Sequence, residues 1–276
     1  MEMTMLSPAL GVEISGVDLS QPLEAHTSAL LRLAFTEHHL VLLRDQTLDD
    51  AAQIGFATLF GPISHRGAFM KQRDFTHVSN VREDGILGGG VLHFHSDHTF
   101  FRHPLKAICL YAIEVPEEGG DTLFSNVVMA HDRLTDAMRA RLENRRSLQL
   151  FDYTGDYNRR TLAEDAPEDA PRCWHSLTRT DDAGREVLFM HAHTTAAIEG
   201  LSHEEADTLM DELVTVIADP AIGYRHQWRP GDILIWNNIT LQHARTDFDP
   251  SQPRTLRRVP IAVNEAQARD ETATAP

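Results

Sequence analysis

Polar and apolar residues alternate along GVEISGVDL (11–19), a period of two that predicts a strand. Residues 23–38 then carry Leu30, Leu31, Leu33 and Ala34 at helical spacing. The run HLVLLRDQ (39–46) predicts a short buried strand, and residues 48–60 a second helix. Asp49 or Asp50 stands near the start of that helix, and Gly61-Pro62 stops it. The stretch to Gly90 is loop-rich. From residue 91 the runs VLHFHSDHTF, AICLYAIEV and DTLFSNV predict short strands, separated by His-Pro and Pro-Glu-Glu-Gly-Gly turn signals. A helix is predicted at about 130–143. The repeated Glu-Asp-Ala-Pro of 163–171 predicts a mobile surface loop over about 152–172. Ser202 and Glu205 form a capping-box pattern before a helix at 203–218. YRHQW, DILIWNN and RRVPIAV predict the last strands, and the polar tail after Asn264 is expected to fray. Many short strands with a few helices predict one mainly β domain over 1–276, a sandwich or barrel with flanking helices.

Composition narrows the function. The 276 residues are 42% hydrophobic, with 25 Lys and Arg against 41 Asp and Glu, a formal charge of −16. Such a surface repels phosphate backbones, so no nucleic-acid partner is expected. No apolar run approaches the ~18 residues of a membrane span, and the N-terminus has no basic-then-apolar leader pattern. Two cysteines, Cys109 and Cys173, rule out a disulfide framework and suit a reducing compartment. The expectation is a cytoplasmic protein without a membrane partner. Histidine is the anomaly, with 16 copies, several of them clustered.

The densest cluster is His93-Phe94-His95-Ser96-Asp97-His98. On a strand, residues two apart share a face, so His95 and Asp97 can project together. A nitrogen donor and a carboxylate make half of a metal site; a strand carrying surface histidines is the competing reading. His243, behind the strong strand of DILIWNN, is the candidate third ligand, and it too could be a surface histidine. Two histidines and one carboxylate suit Fe(II) and leave positions open for small molecules. Arg254 and Arg258 follow His243 by eleven and fifteen residues. Guanidinium forks clamp carboxylates, and Thr122 could add a hydroxyl to the same anion; ordinary surface ion pairing is the alternative.

Taken in order, these segments resemble the taurine dioxygenase and 2,4-dichlorophenoxyacetate dioxygenase family of Fe(II)/2-oxoglutarate oxygenases. The resemblance runs through GVEISGVDL, LVLLRDQ, LFGPI, FHSDHTF, VPEEGGDTLFSNV, RHQWRPGDILIWNN with His243, and PRTLRRVPI. It implies a double-stranded β-helix, or jelly roll, with Fe(II) held by His95, Asp97 and His243. It further implies that Thr122 and Arg254 hold the distal carboxylate of 2-oxoglutarate. Arg258 would lie at the inner end of the pocket, near the chelated keto acid and the substrate's anionic group. The implied reaction consumes O2 and 2-oxoglutarate, releases succinate and CO2, and hydroxylates a small organic acid, with C–O, C–N or C–S cleavage where the carbon bears a heteroatom. The intact Asp97 favours hydroxylation over halogenation. Relatives are often oligomers, so a homo-oligomer is expected.

Phe94 and Asn237 replace residues that the family usually fills with Trp and Asp, which alters the surroundings of the ligands. Val91, Leu92 and His93 stand where a polar taurine contact would be, which argues against taurine. His65 and His93 are candidate substrate contacts. His98 is expected outside the metal shell, and His191 and His193 in the pocket or on a solvated loop. Tyr111, Trp236 and Cys109 are read as core. Two other function classes remain open: a cupin-like metal-dependent hydrolase or isomerase with the same three ligands, which would not need Thr122 and Arg254, and a non-catalytic anion-binding protein, which would tolerate loss of Asp97.

Overall fold

The structure is a computed structural model that describes residues 1–66, 73–151 and 162–270. Its framework is an eight-stranded sheet. In spatial order the sheet comprises β1 (Glu2–Met5), β2 (Val12–Ser15), β3 (Leu40–Leu43), β15 (Ile233–Asn237), β7 (Ala107–Glu114), β17 (Thr255–Ile261), β4 (Thr76–Ser79) and β5 (Gly85–Ile86). A four-stranded sheet runs β14 (Gly223–His226), β8 (Thr122–Asn126), β16 (Leu241–Arg245) and β6 (Leu92–His95). β9 (Arg146–Leu150) lies between β10 (Arg172–Ser176) and β13 (Thr195–Ile198) in a third sheet, and β11 (Thr178–Thr180) pairs with β12 (Glu186–Leu188). No helix among the described residues is long and apolar enough to cross a membrane.

The central strands are apolar on both faces, and their period of two assigns each residue to a layer. On β15, Ile233 and Ile235 pack with Val41, Leu43, Cys109, Tyr111, Val259 and Ile261 under α1 (Ala25–His38) and α2 (Asp50–Thr58). Leu234 and Trp236 of the same strand turn the other way, toward Phe124 and Leu241 of the four-stranded sheet. Phe124 and Trp236 meet edge to face at 5.3 Å. A further apolar cluster lies beneath α3 (Val127–Asp132), α4 (Asp136–Leu142) and α5 (His203–Ile217).

Several expected elements differ from those observed. The strand expected over 11–19 stops at Ser15, because Gly16 turns the chain at φ +74°. The helix expected at 130–143 is two: Asn126 caps α3, and the Thr135 hydroxyl accepts from Met138 N to start α4. Residues 152–161 of the expected mobile loop lie outside the described residues. In the remainder Glu164, Asp165, Pro167, Glu168 and Asp169 are exposed, while the alanines turn inward. Ala163, Ala166 and Ala170 rest on Leu148, Leu150 and Ala196, so the alanines of the repeat supply an apolar side. The tail does not fray at Asn264. Its side chain caps α6 (Glu265–Ala268), Ala268 is buried, and Ala268 O accepts from His65 N. The capping box of Ser202 and Glu205 forms as expected.

Alternation on β17 sends Arg257 and Arg258 to opposite faces. Arg257 ties the start of α2 to the sheet: Nε donates to Gln53 Oε1, Nη1 to Asp50, and Nη2 to the Leu48 and Asp49 carbonyls. Its guanidinium lies 5.2 Å from the Tyr111 ring. Arg257→Met leaves those acceptors without their donor and should cost roughly 3 kcal/mol in urea denaturation, with metal affinity unchanged.

Burial also sets the response to acid. It pushes His39 down to about 4, and His98 and His243 down to about 3, from the usual 6.5. Below pH 6.5 the unfolded chain takes up protons that the folded chain refuses, so stability falls with pH until the folded values are reached. Each such histidine removes up to about 1.4 kcal/mol per pH unit. Urea midpoints of metal-free protein should drop steeply between pH 6.5 and 4.5; a flat profile would contradict this burial.

Candidate metal centre

Strand pairing assembles the site. β16 is antiparallel to β6 with His243 opposite His95, and to β8 with His243 opposite Phe124. The two imidazole rings lie 4.2 Å apart, and Trp236 backs His243 at 4.8 Å. β6 ends at His95, so Asp97 is delivered by the following turn and not by strand alternation. Asn238 fixes that turn from both sides. Its Oδ1 accepts from Asp97 N at 2.8 Å, and its Nδ2 donates to the Asp97 and Leu105 carbonyls at 3.0 Å. Neither Asn238 nor this clamp was singled out in the sequence; the Trp-Asn-Asn run before His243 was the available signal.

Asp97 Oδ1 lies 3.3 Å from His95 Nε2 and 3.7 Å from His243 Nε2. Donor atoms of His95, Asp97 and His243 all fall within 4.8 Å of one another, the one such group found among the described residues. His95 Nδ1 lies 2.7 Å from the His93 carbonyl. A carbonyl only accepts, so Nδ1 is the donor of this pair, and Nε2 is the nitrogen turned toward Asp97. His243 is kept neutral, pushed to about 3 by burial and then by His95. Burial opposes the Asp97 charge. The Arg258 guanidinium, followed by His95 and His243, outweighs burial and holds the carboxyl well below its usual range. A neutral His243 and an ionised Asp97 are the protonation states a divalent ion needs of those two ligands.

Arg258 was expected near a keto-acid and substrate contact. Its Nη2 and Nε donate to Asp97 Oδ2, at 2.5 and 3.2 Å, which sets the guanidinium against the metal-facing carboxylate. The carboxylate is thereby divided: Oδ2 belongs to the guanidinium, and Oδ1 faces the histidines.

Thr122 and Arg254 stand at one end of β8. Gly119 and Gly120 adopt φ +76° and +63°; a Cβ on Gly119 would sit 2.2 Å from Asp247 O, and one on Gly120 would sit 3.0 Å from Arg254 Nε. Only glycine lets the chain pass here. The Gly120 carbonyl accepts from Arg254 Nε at 3.0 Å. Arg254 is 3% exposed, and its two terminal nitrogens have no acceptor among the described residues. Burial, then Arg245, pushes it down to about 9. A buried cation with free N–H groups calls for an anion. Sequence reasoning also missed Arg245, two residues beyond His243. It donates to the carbonyls of Leu87, Gly89 and Gly90, stitching the glycine loop to β16.

The other histidines separate clearly. His65 pairs with Asp74 at 2.9 Å, outside the three-ligand group. His93 is exposed on β6 and supplies only its carbonyl to His95. His98 is buried behind the turn. His191 is buried and its Nδ1 accepts from Ser96 N at 3.2 Å; His191 and His193 are outside the group as well. Tyr111 donates to Gln46 O from within the core, and burial pushes the Cys109 thiol up to about 12.

Comparison with known proteins identifies the family of the chain. Residues 2–259 match the family described as taurine catabolism dioxygenase TauD, TfdA family. The chain is 30% identical over 292 residues to (S)-phenoxypropionate/alpha-ketoglutarate-dioxygenase of Sphingobium herbicidovorans, covering 98% of this chain and 96% of that protein. It is 28% identical to alpha-ketoglutarate-dependent 2,4-dichlorophenoxyacetate dioxygenase of Cupriavidus pinatubonensis, covering 92% and 94%. Among solved structures, AAD-2 in complex with Mn(II) and N-oxalylglycine superposes with a TM-score of 0.82 at 25% identity, covering 95% of this chain and 97% of that one. With a match over nearly its whole length, the chain belongs to the TauD/TfdA dioxygenase family.

Proposed function

We propose that this chain is an Fe(II)- and 2-oxoglutarate-dependent dioxygenase that hydroxylates a small organic anion, on a double-stranded β-helix whose halves are the eight- and four-stranded sheets. One observation carries the reading: His95, Asp97 and His243 group their donors, and a separate buried arginine, Arg254, held on the Gly120 carbonyl next to β8, has terminal N–H groups without an acceptor among the described residues. The relatives point to substrates of the aryloxyalkanoate or sulfate-ester class, since one acts on phenoxypropionate by its name and another is an alkylsulfatase. Hydroxylation beside the ether or ester oxygen of such a compound ends in C–O cleavage.

Each side chain has a physical task. The three ligands would hold ferrous iron, which when bound supplies O2 activation coupled to decarboxylation of 2-oxoglutarate. Arg258 holds Asp97 Oδ2, so one carboxylate oxygen remains for the metal. Asn238 fixes the backbone on both sides of Asp97 and keeps that oxygen aimed. Arg254 and Thr122 bind the distal carboxylate of 2-oxoglutarate, the anion that the buried guanidinium lacks. Trp236 and Phe124 close the floor of the site against water. A cupin-like hydrolase would leave Arg254 a buried cation without purpose, and a plain anion-binding protein would have no need of the divided carboxylate.

Three outcomes test this. Anaerobic protein mixed with Fe(II) and 2-oxoglutarate should develop a weak visible metal-to-ligand charge-transfer band, lost in Asp97→Ala; an absent band in the unaltered protein overturns the reading. Arg254→Ala should raise the 2-oxoglutarate concentration needed for half the band at least tenfold and leave the Fe(II) requirement within twofold; equal effects would contradict its role. Asn238→Ala should weaken Fe(II) binding about 10–100-fold, the usual cost of losing a partner that orients a ligand, as read by metal titration.

A further inference from the structure

The Thr122 hydroxyl makes one hydrogen bond among the described residues, and it is the acceptor: Trp228 Nε1 lies 2.9 Å from Thr122 Oγ1. The direction is unambiguous, because an indole N–H can only donate. A threonine hydroxyl has one proton and two lone pairs. The indole occupies a lone pair, so the proton must point elsewhere. No acceptor for it exists among the described residues, although Thr122 is only 4% exposed.

The indole is itself held. Trp228 is 8% exposed, and the His226 ring meets it edge-on at 4.4 Å and 89°. His226 is the strand partner of Thr122 across β14 and β8. His226 Nε2 lies 3.1 Å from Asp232 Oδ2 as an ion-pair contact, and that oxygen accepts hydrogen bonds from Arg44 Nη1 at 2.8 Å and from Arg229 N at 2.9 Å. A buried polar network with no part in metal binding therefore fixes the ring that fixes Thr122. Trp228 also lines a cavity of about 600 Å³ together with Pro116, Glu118, Asp121 and Arg225.

We infer that Trp228 is a positioning residue for the co-substrate: its indole N–H holds Thr122 as an acceptor and so commits the Thr122 proton to the distal carboxylate of 2-oxoglutarate. Without the N–H, the hydroxyl can rotate and spend its proton on another acceptor, and the carboxylate loses a donor. This rests on the dioxygenase reading. It adds a requirement for a residue that touches neither metal nor 2-oxoglutarate.

The test is a double-mutant cycle on 2-oxoglutarate binding, read by the charge-transfer band of the anaerobic Fe(II) protein. Trp228→Phe keeps an aromatic ring and removes the donor; Thr122→Val removes the hydroxyl. Each should raise the apparent Kd for 2-oxoglutarate about five- to tenfold, with the Fe(II) affinity unchanged. The double variant should be no weaker than the poorer single one, because Trp228 acts only through Thr122. Multiplying effects, or an unchanged Kd in Trp228→Phe, would overturn the inference. Should Trp228→Phe fold poorly, 3-benzothienylalanine at position 228 keeps the ring shape with sulfur in place of N–H and must give the same pattern. Absence of the band in the unaltered protein would instead mark failure of the dioxygenase reading.

Discussion

The site depends on one register. β16 must pair with β6 so that His243 faces His95, and with β8 so that it faces Phe124. Side chains on a strand alternate, so a slip of one residue would send His243 to the opposite face and bring Gln242 or Ala244 in its place. The apolar floor protects the register. Leu241 is buried with Phe124 and Trp236 between the two larger sheets, and a slip would expose it. The same packing that stabilises the core therefore also sets the ligand geometry. Asp97 is the exception, because no strand carries it; the Asn238 amide takes over the part that pairing plays for the histidines.

Four of the five arginines buried among the described residues of this acidic chain gather in one region. Arg245, Arg254, Arg257 and Arg258 all lie on or beside β16 and β17. Arg245 and Arg257 are engaged by carbonyls and side-chain acceptors, and their work is structural. Arg258 is committed to the metal-facing carboxylate. Arg254 alone keeps both terminal nitrogens without an acceptor among the described residues. Charge placement thus distinguishes the residue that awaits an anion from those that hold the scaffold. The net charge of −16 contains none of this information.

Much of the arrangement was legible in the sequence. Continuous apolar runs marked β3, β7 and β15, RRVPIAV marked β17, and the order His-x-Asp, Thr, His, Arg marked the candidate site. What stayed hidden has physical causes. Short strands such as β9 to β13 carry no long run, and their pairing is decided by tertiary contact. The break between α3 and α4 depends on one threonine hydroxyl, Thr135, within a sequence of sound helix formers. Ala163, Ala166 and Ala170 looked like loop filler because small residues show no amphipathic signal, yet they pack. The partner of Arg258 was not legible, because Asp97 lies 161 residues earlier in the chain and the two meet only in the fold. Asn238, Arg245 and Trp228 act through other residues, so spacing alone could not single them out.

The most direct measurement is a crystal structure of the protein with Mn(II) and N-oxalylglycine, the ligand pair held by the related AAD-2. Anomalous scattering should locate the metal bonded to His95, Asp97 Oδ1 and His243, with the far carboxylate of the oxalyl compound on Arg254 and Thr122. A metal bound elsewhere, or that carboxylate lying away from Arg254, would contradict the account.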